Sequence, residues 1–182
     1  MCKTLARPYG GLRWVVGLCL AGFLTAALAL AGGPPPPRHV TIEGRVVRVH
    51  DGDTITLSDA ADQAHQIRLN GIDAPEVGQA FGKASKRYLS ERLADRRVVA
   101  ECHKTDRYGR EVCLVFAGGS DVGLEQIQAG MAWYFRRYGN ELPQERRKEY
   151  ADVEAKARAE RRGLWADKQP IPPWDWRRDN GR

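Results

Sequence analysis

The sequence predicts a mainly β domain, a small β-barrel of the OB type with helices added at its ends. Three observations predict it. Short β-branched runs punctuated by turn formers fill most of the chain from Val40 to Phe116. Helical spacing of apolar residues is confined to three later or intervening stretches. The chain has 182 residues, 42% hydrophobic and 29% charged, which suits one folded soluble domain with appendages and is too apolar for a disordered chain. No internal repeat is visible.

In chain order, Val40–Ile42, Arg45–Val49, Thr54–Leu57 and Gln66–Leu69 read as strands, with turns at Asp51-Gly52 and Ser58-Asp59. Arg97–Cys102 and Glu111–Phe116 read as two further strands, joined into a hairpin by the polar stretch from His103 to Arg110. Between them, Phe81, Ala84, Tyr88, Leu89 and Leu93 fall on one helical face. Asp121 is placed to cap a short helix that Gly130 ends. Pro143 opens a longer one with Tyr150, Val153 and Ala157 on one face and Gly163 as its expected C-cap. Short strands that curl, with helices at the ends, make an OB-type barrel the natural closure.

The first 31 residues carry Lys3, Arg7 and Arg13, no acid, and an uncharged run of 18 residues from Trp14 to Ala31. With the small-x-small ending Ala29-Leu30-Ala31, this reads as an export signal cleaved after Ala31. An uncleaved inner-membrane anchor is the alternative, since the run approaches the length that spans a bilayer. Residues 32–39, with four consecutive prolines, form an extended linker. The expected organisation is therefore signal or anchor (1–31), linker (32–39), folded domain (40–168) and a Pro/Trp/Arg-rich tail (169–182). The product is expected outside the cytoplasm, periplasmic or secreted, as a monomer that meets a membrane only if the segment stays uncleaved.

The net charge is +6, but three of those cations belong to the export segment, so the remainder carries +3. Bulk basicity alone points weakly to a polyanionic partner. The placement of particular residues says more. His50-Asp51-Gly52-Asp53-Thr54 by itself is a hairpin turn; it is not an EF-hand loop, because position six from Asp51 is Thr56 and position twelve is Asp62. Asp73 and Glu76 flank Pro75, which stiffens the backbone between them. Two carboxylates on a rigid turn can divide labour, one binding a hard cation and the other handling water. Arg68 leads into that turn. Asp106-Arg107-Tyr108-Gly109-Arg110 offers planar guanidinium forks, which pair with phosphate oxygens. Trp133-Tyr-Phe-Arg-Arg-Tyr138 interleaves aromatics with cations, as single-strand binders do, although Trp133 and Phe135 could equally be core residues. His39, His50, His65 and His103 lack zinc-ligand spacing.

The order Asp51-Gly-Asp-Thr54, Arg68-x4-Asp73-Ala-Pro-Glu76, Asp106-Arg-Tyr-Gly-Arg110 and Gly163-Leu-Trp165 resembles the staphylococcal nuclease (thermonuclease) family, from about Val46 to Trp165. Pro172-Pro-Trp-Asp-Trp-Arg-Arg178 is similar to the tail of many exported bacterial members. The resemblance implies an α+β, mainly β fold, a five-stranded OB barrel with about three helices, that hydrolyses DNA and RNA with calcium. It implies that Asp53 and Asp73 would bind the ion with the Ala74 carbonyl, and that Asp51 would back these ligands without touching it. Glu76 would be the general base or orient the attacking water, and Arg68 and Arg110 would clamp the scissile phosphate. Arg107, Tyr108 and Tyr138 would contact substrate. Gly123-Leu-Glu-Gln126 departs from the more apolar helix usual there, and the loop after Glu76 is short. A non-catalytic OB module binding nucleic acid or protein is the competing reading; such a module can lose any of Asp53, Arg68, Asp73, Glu76 and Arg110, and all five are present.

After the export segment only Cys102 and Cys113 remain, one on each arm of the hairpin that carries Arg110. In an oxidising compartment they are expected to pair, contributing on the order of 3 kcal/mol by closing a short loop. The alternative is two independent buried thiols.

Overall fold

A computed structural model describes residues 39–94 and 96–181 of the chain. The export segment and all of the expected linker except His39 lie outside the described residues. Among the described residues, no helix is long and apolar enough to cross a membrane.

The strands are β1 (Val40–Val49), β2 (Thr54–Ser58), β3 (Ala64–Leu69), β4 (Ile72–Asp73), β5 (Arg97–Thr105), β6 (Glu111–Ala117), β7 (Ser120–Asp121) and β8 (Trp133–Tyr134). The helices are α1 (Gly82–Leu93), α2 (Val122–Gln128), α3 (Gln144–Ala159) and α4 (Pro173–Asp179). The five long strands form a ring in the order β3-β2-β1-β5-β6, antiparallel throughout. A short parallel pairing closes it, with Ile67 opposite Glu111 and Leu69 opposite Cys113. The result is a closed five-stranded β-barrel with helices around it, as the strand pattern predicts.

The first two strand candidates are one strand. β1 pairs with β5 through Val40–Arg45 and with β2 through Arg45–Val49, and a bulge between Val46 and Arg48 turns it from one neighbour to the other. Inward residues alternate along the ring, and Ile55, Leu57, Ile67, Leu69, Val98, Ala100 and Val115 are buried together with Leu89 and Leu93 of α1, Ile127 of α2 and Tyr150 of α3. The Asp121 carboxylate accepts from the Leu124 amide at 3.1 Å, so it caps α2 as expected. The Tyr150 hydroxyl donates to the same carboxylate at 2.9 Å.

Helix α3 ends differently from the expectation. It stops at Ala159, and Arg161, at φ 52°, takes the left-handed position that ends the helix while the Arg162 amide donates to the Ala157 carbonyl at 2.9 Å. Gly163 instead passes against Gly130: a Cβ on it would lie 2.3 Å from the Gly130 carbonyl oxygen. The Leu164 amide donates to that oxygen at 2.8 Å, which ties the segment after α3 to the segment after α2. The buried face of α3 also differs. Glu154 lies inside with Tyr150 and Ala157, while Val153 is only partly buried. The Glu154 carboxylate accepts from the Tyr134 amide at 3.0 Å and pairs with Arg136 at 2.7 Å and Arg158 at 3.3 Å, which compensates its burial.

A second apolar cluster forms beside the barrel from Trp133, Ala157, Leu164 and Trp165, with Phe81 and Trp174 against it. Trp133 is therefore a core residue, the second of its two sequence readings.

Candidate active site

The turn between β1 and β2 is pinned from three sides. The His50 amide donates to the Thr54 carbonyl at 2.8 Å, the Asp53 amide to Asp51 Oδ1 at 3.0 Å, and the buried Gln126 side chain of α2 to the Gly52 carbonyl at 2.5 Å. The unusual polar residue of α2 thus supports the turn that carries Asp53. That carboxylate is buried; Oδ2 accepts from the Ala74 amide at 2.7 Å and Oδ1 from the Thr54 hydroxyl at 3.1 Å.

Strand β3 then delivers Arg68, whose guanidinium bridges Asp53 and Asp73 at 3.2 Å each and donates to the Leu69 carbonyl at 3.0 Å. Asp73 sits in β4, directly opposite Trp133 of β8, so its backbone is fixed by a short ladder. The following loop folds back on itself. The Gln79 amide donates to the Glu76 carbonyl at 2.8 Å, and Gly82 packs so close to that carbonyl that a Cβ would lie 1.8 Å from it. The Glu76 carboxylate is left part-exposed, facing the same space as Asp73.

On the other side stands the β5–β6 hairpin. Asp106 organises its loop: Oδ1 accepts from the Tyr108 and Arg110 amides at 2.9 and 3.0 Å, and Oδ2 pairs with the Arg110 guanidinium at 2.7 Å. A further Arg110 nitrogen reaches the Thr54 hydroxyl at 3.4 Å. Cys102 and Cys113 pair across the two strands and are disulfide-bonded, with a sulfur–sulfur distance of 2.06 Å. Tyr108 is 66% exposed, with the guanidinium of Arg107 4.7 Å and that of Arg110 5.3 Å from its ring centre. Tyr138 is also exposed, flanked by Phe135 and by the ammonium of Lys104 5.0 Å away.

One cleft of about 990 Å³ collects these groups: Asp51, Asp53, Arg68, Asp73, Ala74, Glu76, Arg107, Tyr108, Arg110 and Tyr138 all line it. Sequence reasoning missed a further cation there. Arg177 of α4 reaches Asp73 Oδ2 at 2.7 Å, Asp73 Oδ1 at 3.2 Å and Glu76 Oε1 at 2.9 Å. The tail motif Trp174-Asp-Trp-Arg-Arg178 carried the signal, an arginine pair beside ring-bearing residues, but nothing in it says where the tail docks. Asp106 was visible only as part of its loop motif, and its part in holding Arg110 emerges from the hydrogen bonds.

The electrostatics follow from this crowding. Burial first, and then the charge of Asp53, raise the Asp51 carboxyl to about 7. Burial also raises Asp73, against the opposing pull of Arg177 and Arg68. Burial opposes ionisation of Asp106 too, but the donors from Arg110 and Tyr108 outweigh it and its pKa is lowered. Among the described residues, no three His, Cys, Asp or Glu side chains converge into a metal site by themselves. An ion here would rest on the Asp53 and Asp73 carboxylates with carbonyl and water oxygens. That all-oxygen donor set fits a hard divalent cation.

Comparison with known proteins decides the family. A model described as "Staphylococcal nuclease homologue" matches residues 66–167. The chain belongs to the staphylococcal nuclease family. It is 37% identical over 134 residues to an "Uncharacterized endonuclease" of Haemophilus influenzae, covering 74% of this chain and 72% of that protein. Against an "Uncharacterized endonuclease" of Escherichia coli the identity is 40% over 139 residues, 75% of this chain and 85% of the relative. Against a "Micrococcal nuclease" of Shigella flexneri it is 36% over 168 residues, 87% of this chain and 94% of the relative. As a member of the staphylococcal nuclease family the protein is a nuclease, a metal-dependent hydrolase with a nucleic-acid substrate.

Proposed function

We propose that the protein is an exported, calcium-dependent nuclease that hydrolyses the phosphodiester bonds of both DNA and RNA. The observation that carries this reading is the convergence of Asp53, Asp73, Glu76, Arg68 and Arg110 on one cleft, from four separate segments of the chain. Asp53 and Asp73, with the Ala74 carbonyl, would hold the ion, and Asp51 would fix the loop behind them. When bound, the ion supplies positive charge to a phosphoryl oxygen and acidifies a neighbouring water.

The chain's own residues do the rest. Glu76 takes a proton from the water as its oxygen bonds to phosphorus, while the bond to the leaving ester oxygen breaks and that oxygen takes a proton from solvent. Arg68 and Arg110 neutralise the charge that grows on the phosphoryl oxygens. Both guanidiniums are positioned before substrate arrives, Arg68 by the two aspartates and Arg110 by Asp106. Tyr108 and Tyr138, exposed beside cations at the rim, offer rings on which bases stack while Arg107 meets a flanking phosphate. Export is supported by the charge pattern of the first 31 residues and by the Cys102–Cys113 disulfide, a bond that persists outside the reducing cytoplasm.

The test is incubation of the full chain with single-stranded DNA and with RNA, in calcium and then in chelator. Both polymers are expected to be cut, cleavage to stop on chelation, and added calcium to restore it. Cleavage that persists undiminished in chelator, or none of either polymer in calcium, overturns the reading.

A further inference from the structure

The C-terminal helix α4 is built against the rest of the protein. The Trp174 ring stacks on Phe135 with centres 5.2 Å apart and planes 21° from parallel, and meets Trp133 edge-on at 5.7 Å. Pro173 is buried, and the Gln79 side chain donates to the Ile171 carbonyl at 2.7 Å. Gln79 belongs to the loop that positions Glu76, so the tail and the candidate base share a support. The two arginines of α4 then diverge. Arg178 pairs within its own helix, with Asp175 at 2.7 Å and Asp179 at 3.1 Å. Arg177 turns inward and takes both oxygens of Asp73 and one of Glu76.

We propose that Arg177 is a tethered counter-ion of the metal site, which holds the Asp73 and Glu76 carboxylates and sets the affinity for the divalent ion by competing with it. The inference rests on the reading of Asp53 and Asp73 as metal ligands. The carboxylates of Asp51, Asp53, Asp73 and Glu76 line one cleft, and two guanidiniums bond directly to three of them, Arg68 to Asp53 and Asp73 and Arg177 to Asp73 and Glu76. These two cations are held very differently. Arg68 lies on the barrel strand β3, 15% exposed, and spans Asp53, Asp73 and its neighbour's carbonyl. Arg177 is 31% exposed on a terminal helix of seven residues. Any cation that binds Asp73 claims oxygens already bonded to Arg177. Like charges crowded on one buried carboxylate repel strongly, so the more weakly held cation gives way.

Linkage makes the effect reciprocal. Undocking α4 strengthens binding of the ion, and the ion loosens α4. A merely structural tail would do the opposite, because losing it would disorder the loop of Glu76 and weaken the site.

The experiment is calorimetric titration of the full chain with calcium chloride, on the wild type, Arg177→Ala, Arg177→Lys and Trp174→Ala. Arg177→Ala is expected to bind calcium about tenfold or more tightly than wild type, given the size of a Coulomb term at such range. Arg177→Lys, which keeps the charge, should fall close to wild type, and Trp174→Ala should tighten binding to a smaller degree. Unchanged or weaker binding in Arg177→Ala overturns the inference. A second measurement needs no variant: amide hydrogen exchange of residues 173–179 in the wild type should speed up when calcium is added, and unchanged or slower exchange overturns the inference. If the wild type binds calcium but the variant and exchange results fail, only this inference falls. If the wild type binds no calcium, the reading of the metal ligands falls with it.

Discussion

Arg110 and Arg177 reach the same cleft on supports of different stiffness. Arg110 follows a long β-hairpin whose strands exchange seven residue pairs, are bonded through Cys102–Cys113, and present a loop already organised by Asp106. Arg177 rides a seven-residue helix held by ring packing on Trp133 and Phe135 and by a hydrogen bond from Gln79. Covalent closure and sheet pairing fix a side chain for good, whereas aromatic packing at a chain end can be undone at modest cost. The comparison teaches that one side-chain chemistry serves two purposes here. On the proposed mechanism, the arginine needed unchanged at every turnover sits on the stiff support, and the one proposed to yield to the ion sits on the soft one.

The largest effect should come from the stiff side. Arg110→Ala, and separately Glu76→Gln, are expected to slow single-stranded DNA cleavage on the order of 10³-fold while the circular dichroism spectrum is retained. Turnover near wild type in either variant would remove the distinction between a working and a yielding arginine. Next come the supports themselves. Replacing both Cys102 and Cys113 by Ala should lower unfolding free energy by about 3 kcal/mol under the chain-entropy model. Trp174→Ala, at a half-buried site, should cost only about 1–2 kcal/mol. Urea denaturation of the two variants side by side measures both, and an equal or reversed ranking breaks the comparison of supports. The smallest effect lies at the end of α3: Arg161→Gly relieves a left-handed residue and should stabilise by roughly 0.5–1 kcal/mol. A loss of stability in the same assay would contradict that account of how α3 ends.

Local pattern carried the barrel. Alternating β-branched runs, punctuated by turns such as Asp51-Gly52 and Ser58-Asp59, give β2, β3, β5 and β6 because their buried faces repeat every second residue. The carboxylate–arginine set was legible because its members lie in short motifs around tight turns, where residue type is dictated by local geometry. What escaped depends on partners far along the chain. Val40–Ile42 and Arg45–Val49 read as two strands because the single strand changes neighbours partway, and only the bulge records it. Glu154 interrupts an apolar face because it serves the Tyr134 amide in another element. Gly163 looked like a helix cap because its left-handed conformation was expected, while the reason for it, contact with Gly130, was not visible. Arg177 meets Asp73 across 104 positions, and no local periodicity encodes such a meeting.

The parallel closure of the barrel has a consequence for how the enzyme comes into being. Ile67 lies opposite Glu111 and Arg68 opposite Val112, so the register of this one seam also sets the spacing between Arg68 and Arg110. Residues 44 positions apart must meet before the seam exists, and pairings that distant are slow to form because the intervening loop must be ordered first. A chain that has collapsed, and even formed both hairpins, therefore lacks one wall of its cleft. Nuclease activity is therefore expected to return during refolding only after the two hairpins have formed, a lag that activity assays run beside far-ultraviolet circular dichroism would measure.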